Sequence, residues 1–133
     1  MRIDGQCHCG KVTYEAEIDP AEVYICHCTD CQRLTGSPFR VTVITASNTV
    51  RLTGSAPKLY IKHGDNGNVR KQFFCPECGS PLFTTGEDET GERGIRWGSI
   101  NQRSQLFPRE QMWCRSAATW LPDISDLPED QED

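Results

Sequence analysis

Short alternating runs of apolar and polar residues, broken by Gly and Pro, set the pattern of this chain, and no long amphipathic helix interrupts them. Over residues 11–17, Val12, Tyr14 and Ala16 alternate with Thr13, Glu15 and Glu17, the period of a strand with one buried face. Asp19-Pro20 is expected to end that strand, and Val23-Tyr24-Ile25 to form a second one that delivers Cys26. From Thr29 the pattern changes: Thr29 or Asp30 caps a short helix to about Leu34, which Gly36 and Pro38 stop. Residues 39–45 read as a β-branched strand, with shorter ones at 50–52 and 59–61. Asp65-Asn66-Gly67-Asn68 supplies the turn of a hairpin between 59–62 and 69–74. Further strands are expected at 82–85, 95–100 and 112–114, with 86–92 as a mobile polar loop. The pattern predicts a mostly β fold of short antiparallel strands with little helix.

The cysteines punctuate these strands in three clusters: Cys7-His8-Cys9, Cys26-His27-Cys28-Thr29-Asp30-Cys31 and Cys75-Pro76-Glu77-Cys78. A disulfide uses two thiols at a fixed geometry, whereas a tetrahedral zinc accepts thiolates from spacings this short. The Cys75 cluster ends in Gly79, so Pro76 fixes one φ and the glycine lets backbone N–H groups approach sulfur, a common zinc-loop composition. In an extended segment Cys7 and Cys9 share a face that His8 does not, and the same alternation sets His27 apart from Cys26 and Cys28. His63 beside the turn reads as a surface residue. Spacing leaves two partitions open. Cys7, Cys9, Cys75 and Cys78 form a closed site and Cys26, Cys28 and Cys31 an open one, or Cys28/Cys31 joins Cys75/Cys78 in a ribbon-like site. The second needs a longer intervening segment than the ~15–20 residues usual in such ribbons, which favours the first. Cys114 reads as a buried small hydrophobe rather than a fourth ligand.

Length and charge narrow the classes. With 133 residues the chain suits one domain of residues 1–122, a modest core supplemented by metal, followed by an acidic tail of residues 123–133 expected to be disordered. That tail holds six of the 19 acidic residues, so the body carries 14 basic against 13 acidic groups. A nearly neutral body without a basic stripe argues against nucleic-acid binding. The first residues lack the apolar stretch of a secretory signal, and no run approaches the ~18 apolar residues of a membrane span, so the expectation is a cytoplasmic protein with no membrane partner. In a reducing compartment eight cysteines at these spacings read as metal ligands.

Three thiolates on one zinc leave a vacancy and one net negative charge, a poorer Lewis acid than the His-ligated zinc that takes bound water to a pKa near ~7. Such a centre suits exchange of an incoming thiol or modest polarisation of an aldehyde.

The stretches Gly5–Gly10, Cys26–Ser37 and Phe74–Phe83 together resemble the motifs of the glutathione-dependent formaldehyde-activating enzyme family, whose domain is shared with centromere protein V. The resemblance spans nearly the whole chain. It implies a β-tent fold and two zincs, with Cys7, Cys9, Cys75 and Cys78 holding a structural one and Cys26, Cys28 and Cys31 a catalytic one. It also implies carbon–sulfur lyase chemistry adding glutathione to formaldehyde, with a small-molecule thiol and aldehyde as partners. Ser37 and Phe39 fall where the family places pocket residues, and Arg33, Arg70 or Lys71 is expected to meet a carboxylate of glutathione. Ile100-Asn101 stands where similar proteins have a Leu-Asp pair. The competing expectation is a non-enzymatic zinc module for protein contacts or for thiol and metal sensing.

Overall fold

The computed structural model describes residues 1–46 and 48–132. Its strands are β1 (Arg2–Gln6), β2 (Thr13–Cys26), β3 (Arg40–Thr45), β4 (Arg51–Leu52), β5 (Lys58–His63), β6 (Val69–Phe74), β7 (Pro81–Thr85), β8 (Gly94–Arg96) and β9 (Glu110–Met112). A single seven-residue α-helix, α1 (Thr29–Thr35), follows β2 among the described residues. The strands pair in the order β1-β2-β3-β8-β7-β6-β5, with β4 and β9 attached to β2. Every pairing is antiparallel except that of β2 with β9. The mostly β architecture with little helix is the one the alternating pattern predicts.

Register explains why one face of this sheet is core and the other is polar. Residues directly opposite each other on adjacent strands share a face. Along one face run Val23, Val43, Ile95, Phe83 and Phe73, each paired with the next. The first four are buried to 1% exposure or less, and Phe73 stacks on Phe83 with ring centroids 4.9 Å apart. Along the other run Tyr24, Thr42 and Arg96, while Cys26 pairs with Arg40 and Gln72 with Thr84. This second face is the one that carries chemistry.

Several boundaries differ from the sequence expectations, each for a physical reason. β2 does not end at Asp19-Pro20. The ladder to β3 shifts register between Ile18 and Val23, so the proline, which has no N–H to donate, sits in a stretch that needs none, and the strand bends instead of stopping. β1 is a strand that the pattern did not predict. Its Gly5 lies so close to Tyr14 and to the Ser99 carbonyl that a Cβ would meet them at 2.3 and 2.4 Å, so the position reads as a gap in the apolar pattern while being fully buried. The expected strand over 95–100 stops at Arg96, where a 3-10 turn, Trp97–Ser99, takes over. The last strand is Glu110–Met112 rather than 112–114, because Trp113 adopts a left-handed φ of 58°. The acidic stretch after Leu121 begins with a 3-10 helix, Leu121–Asp126, in which Leu121 alone is half-buried. The hairpin of β5 and β6 closes where expected, through Gly64 N–H to the Asn68 carbonyl and a positive φ at Gly67.

Candidate functional site

Four of the thiols meet where β1 and β6 end. Cys7 follows β1 directly and Cys75 follows β6, and each opens a knuckle closed by a glycine of positive φ, Gly10 and Gly79. The Cys7 carbonyl accepts from Gly10 N–H and the Cys75 carbonyl from Gly79 N–H. Each leading sulfur then receives a backbone amide, Val12 N–H on Cys7 Sγ at 3.3 Å and Glu77 N–H on Cys75 Sγ at 3.4 Å. His8 N–H donates to Ser80 Oγ at 3.0 Å and joins the two knuckles. The sulfurs of Cys7, Cys9, Cys75 and Cys78 all lie within 4.8 Å of one another, with Cys7 to Cys9 at 3.6 Å and Cys9 to Cys75 at 3.7 Å. Zinc–sulfur bonds of about 2.3 Å in a tetrahedron put neighbouring sulfurs about 3.8 Å apart. These residues fit a four-thiolate metal ion.

Electrostatics in this group are uneven without a cation. The Ser80 hydroxyl, 3.2 Å from Cys78 Sγ, leads the interactions that hold that thiol down to about 5. Although the Lys11 N–H pulls Cys9 down, partial desolvation and the three neighbouring thiols push this exposed thiol up to about 11. A bound divalent cation removes the conflict by ionising all four.

The other three thiols meet at the end of β2. Cys26 closes that strand and Cys31 lies inside α1, and the sulfurs of Cys26, Cys28 and Cys31 also fall within 4.8 Å of one another. The cap of α1 is neither Thr29 nor Asp30 but Cys28, whose Sγ accepts the Cys31 N–H at 3.3 Å. Burial raises Cys28, yet that amide and the two neighbouring thiols leave it below the ordinary thiol value. Cys31, the deepest of the three, is pushed up to about 12 by burial, against the pull of the Arg40 guanidinium. Three soft donors with no fourth protein sulfur in the group fit a metal with an open position.

The polar face of the sheet is the floor in front of these three thiols. A cavity of about 650 Å³ is lined by Cys26, Cys28 and Cys31 and by Arg40, Thr42, Arg70, Gln72 and Arg96, with Asp88 and Glu92 also in its wall. A second cavity of about 730 Å³ shares Cys28, Lys62, Arg70 and Trp113 with the first and extends to the hairpin turn and Arg115. Lys62 pairs with Asp30 at 2.8 Å, tying β5 to the start of α1. Trp113 stands between the two cavities with Arg115 stacked 4.8 Å from its ring. The basic lining favours an anionic occupant.

The structure sorts the remaining sequence expectations. Of the three basic residues expected to face substrate, Arg70 lines both cavities. Lys71 faces the other side of β6 and pairs with Glu89 at 2.8 Å, and Arg33 is exposed and lines none of the cavities described. Ser37 and Phe39 line a separate cavity of about 590 Å³ near Cys7, also reached by Arg40 and Arg96. Asn101 lines that cavity too, with its Nδ2 donating to Asp4 Oδ1 at 3.2 Å. His27 is buried edge-on to Phe39 with Nε2 2.8 Å from Gln111 Oε1, and His8 and His63 are exposed. Cys114 is not the buried hydrophobe expected: it is exposed and outside both sulfur groups. Arg40 and Arg96 were missed. The signal was the alternation of Arg40, Thr42 and Ile44 against Val41, Val43 and Thr45, read as a strand without asking which neighbours its polar face would meet.

A small β-sheet protein with one four-thiol and one three-thiol group of metal-binding geometry is the class that fold and site define. Residues 2–116 match the family model described as glutathione-dependent formaldehyde-activating enzyme, and the chain belongs to that family. It is 27% identical over 92 residues to a Penicillium rubens protein provisionally named glutathione-dependent formaldehyde-activating enzyme, covering 68% of this chain and 47% of that protein. An Emericella nidulans protein of the same provisional name is 30% identical over 91 residues, covering 67% and 45%. The chain thus spans less than half the length of these curated relatives. A crystal structure of a Rhodobacter sphaeroides protein shares the fold, with a TM-score of 0.62 and 23% identity over 82% of this chain and 99% of that one. Among the described residues no helix is long and apolar enough to cross a membrane.

Proposed function

We propose that the chain is a zinc-dependent carbon–sulfur lyase that reversibly adds glutathione, or a thiol like it, to formaldehyde or another small aldehyde. The observation that carries this reading is the contrast in setting between the two groups. Cys26, Cys28 and Cys31 open onto a large cavity with a basic lining, while Cys7, Cys9, Cys75 and Cys78 lie outside it and already number four. The family name supplies the substrates as a hypothesis. In this reading the four-thiol group is structural and the three-thiol group catalytic.

A zinc bound there supplies an open, sulfur-rich position that lowers the cost of holding a thiolate at neutral pH. The residues of the chain do the rest. Cys28 caps α1, so helix and ligand position each other. Arg70, exposed at the junction of the two cavities, is placed to meet a substrate carboxylate. Trp113 covers the junction from the side of β9. In the reaction a sulfur–carbon bond forms as the carbonyl π bond breaks, and the thiol proton ends on the new hydroxyl.

Metal content together with turnover tests the proposal. Close to two equivalents per chain, falling to one in Cys28→Ser with loss of glutathione- and formaldehyde-dependent turnover, is the expected result. Unchanged turnover in Cys28→Ser refutes the catalytic role. Two equivalents with no saturable thiol binding refute the lyase and favour the non-enzymatic zinc module.

A further inference from the structure

Arg40 and Arg96 are the two arginines the fold buries most deeply among the described residues, at 9% and 7% exposure. Each meets a neutral acceptor, Gln72 Oε1 at 3.4 Å from Arg40 and Thr42 Oγ1 at 2.6 Å from Arg96. Arg40 Nε and Arg96 Nη2 are buried without a hydrogen-bond partner. No carboxylate lies within ion-pair distance of either guanidinium among the described residues, although Asp88 and Glu92 stand in the same cavity wall. Register places Arg40 opposite Cys26 and, two residues further along β3, Thr42 opposite Arg96. Two buried cations side by side are unfavourable unless an anion compensates them. Register sets Cys26 beside Arg40, and Cys26, Cys28 and Cys31 line the same cavity as both arginines.

We propose that Arg40 and Arg96 form an anion-selecting wall, so that the space beside Cys26, Cys28 and Cys31 takes a soft monoanion, a thiolate, in preference to a neutral aldehyde or water. The inference rests on the reading of these cysteines as ligands of a divalent metal. Charge matching carries it. Three thiolates around a divalent cation leave one negative charge, and a fourth monoanion makes two, which the guanidinium pair neutralises. A neutral occupant leaves one buried positive charge unmatched. The thiol is therefore the co-substrate held at the sulfur group, surrendering its proton to solvent as it enters. The aldehyde approaches from the cavity, its carbonyl carbon accepting the sulfur lone pair while its oxygen takes a proton from water.

Cobalt(II)-substituted protein tests this without turnover, because its visible absorption changes when a ligand joins the metal. Thiocyanate is the soft anionic probe and tetrahydrothiophene the soft neutral one. Wild-type protein is expected to bind thiocyanate at least tenfold more tightly than tetrahydrothiophene. Arg96→Met should lose at least tenfold in thiocyanate affinity at unchanged cobalt content, with little change for the thioether, and Arg96→Lys should recover part of the loss. Equal affinity of wild-type protein for the two probes overturns the proposal even if the variants fail to fold, and so does unchanged thiocyanate binding in Arg96→Met. Absence of a second cobalt equivalent in wild-type protein overturns the metal reading and this proposal together. Anion preference without turnover of glutathione and formaldehyde refutes the lyase alone and supports the wall.

Discussion

The two sulfur groups differ in what they join and in what surrounds them. Cys7 and Cys9 stand 66 or more residues before Cys75 and Cys78, so the four-thiol group ties β1 to the connection between β6 and β7 across most of the chain. Cys26, Cys28 and Cys31 are contiguous, and the backbone around them is already fixed by β2 and α1. A metal held by the first group would close a long loop and so stabilise the fold. The second closes almost none, so a metal there contributes little to folding and is free to serve chemistry.

The largest effect expected from this contrast is that of Cys75→Ser. Cys75 has no exposure, and its sulfur lies 3.7 Å from Cys9 Sγ and accepts the Glu77 N–H. Losing one of the four ligands of the proposed structural metal is predicted to cost more than about 4 kcal/mol, enough to unfold a small domain. Urea denaturation compared with wild-type protein measures it; a loss under about 1 kcal/mol would make the group dispensable and erase the contrast.

Cys28→Ser should do the opposite. Serine is a good N-cap, so its hydroxyl replaces the sulfur that accepts the Cys31 N–H and α1 keeps its start. The expected change in stability is within about 1 kcal/mol, while metal content drops by one equivalent and turnover is lost. A cooperative melt as depressed as that of Cys75→Ser would show that the three-thiol group is structural as well.

How much of this was legible beforehand depends on sequence distance. The knuckles were readable because Cys, Gly and Pro stand next to one another, and so was the hairpin of β5 and β6, whose turn residues are contiguous. Spacing alone left the grouping of the cysteines open, because that depends on β1 and β6 ending at the same place. The basic floor was harder still. Arg40 and Arg96 stand on strands far apart in sequence, and their nearness follows from the pairing of β3 with β8. Single-strand periodicity shows that a polar face exists without showing what it faces, which is why Arg33 was chosen for its place beside the cysteines. The departure at Trp113 was not readable at all, since a bulky residue at positive φ violates local preference.

Trp113 gives a smaller test confined to the open group. Its left-handed backbone costs on the order of 1 kcal/mol, and the ring is about half exposed, so little packing repays that cost. Trp113→Gly removes the strain together with the ring. Stability is expected to rise by up to about 1 kcal/mol, while the KM for thiol rises about tenfold, some 1.4 kcal/mol of binding. Trp113→Ala keeps the strain and loses the ring, so it should share the KM change without the gain in stability. Equal melting temperatures for the two variants would remove strain from the account, and an unchanged KM would remove the ring.

The smallest effect concerns what aims β1 at the four-thiol group besides sulfur. Asp4 in β1 accepts hydrogen bonds from Gln102 Nε2 at 2.7 Å and Asn101 Nδ2 at 3.2 Å, and these hold its carboxyl below the usual 3.8. A carboxyl depressed in the folded state stabilises the fold above its unfolded value and loses that contribution as pH falls through the folded one. Asn101→Asp reverses the sign by setting a second carboxylate against the first. The raised carboxyl of that pair costs nothing at pH 3, where both are protonated, and the penalty grows as pH rises past about 4 to 5. Both positions are exposed, so solvent screening keeps the penalty at neutral pH below about 1 kcal/mol. Denaturation of wild-type protein and Asn101→Asp at pH 3.5 and pH 7 separates the cases. Curves that differ at pH 7 and converge at pH 3.5 place part of the aim of β1 in this polar clamp, while identical curves at both leave it to the sulfurs and the buried side of the strand.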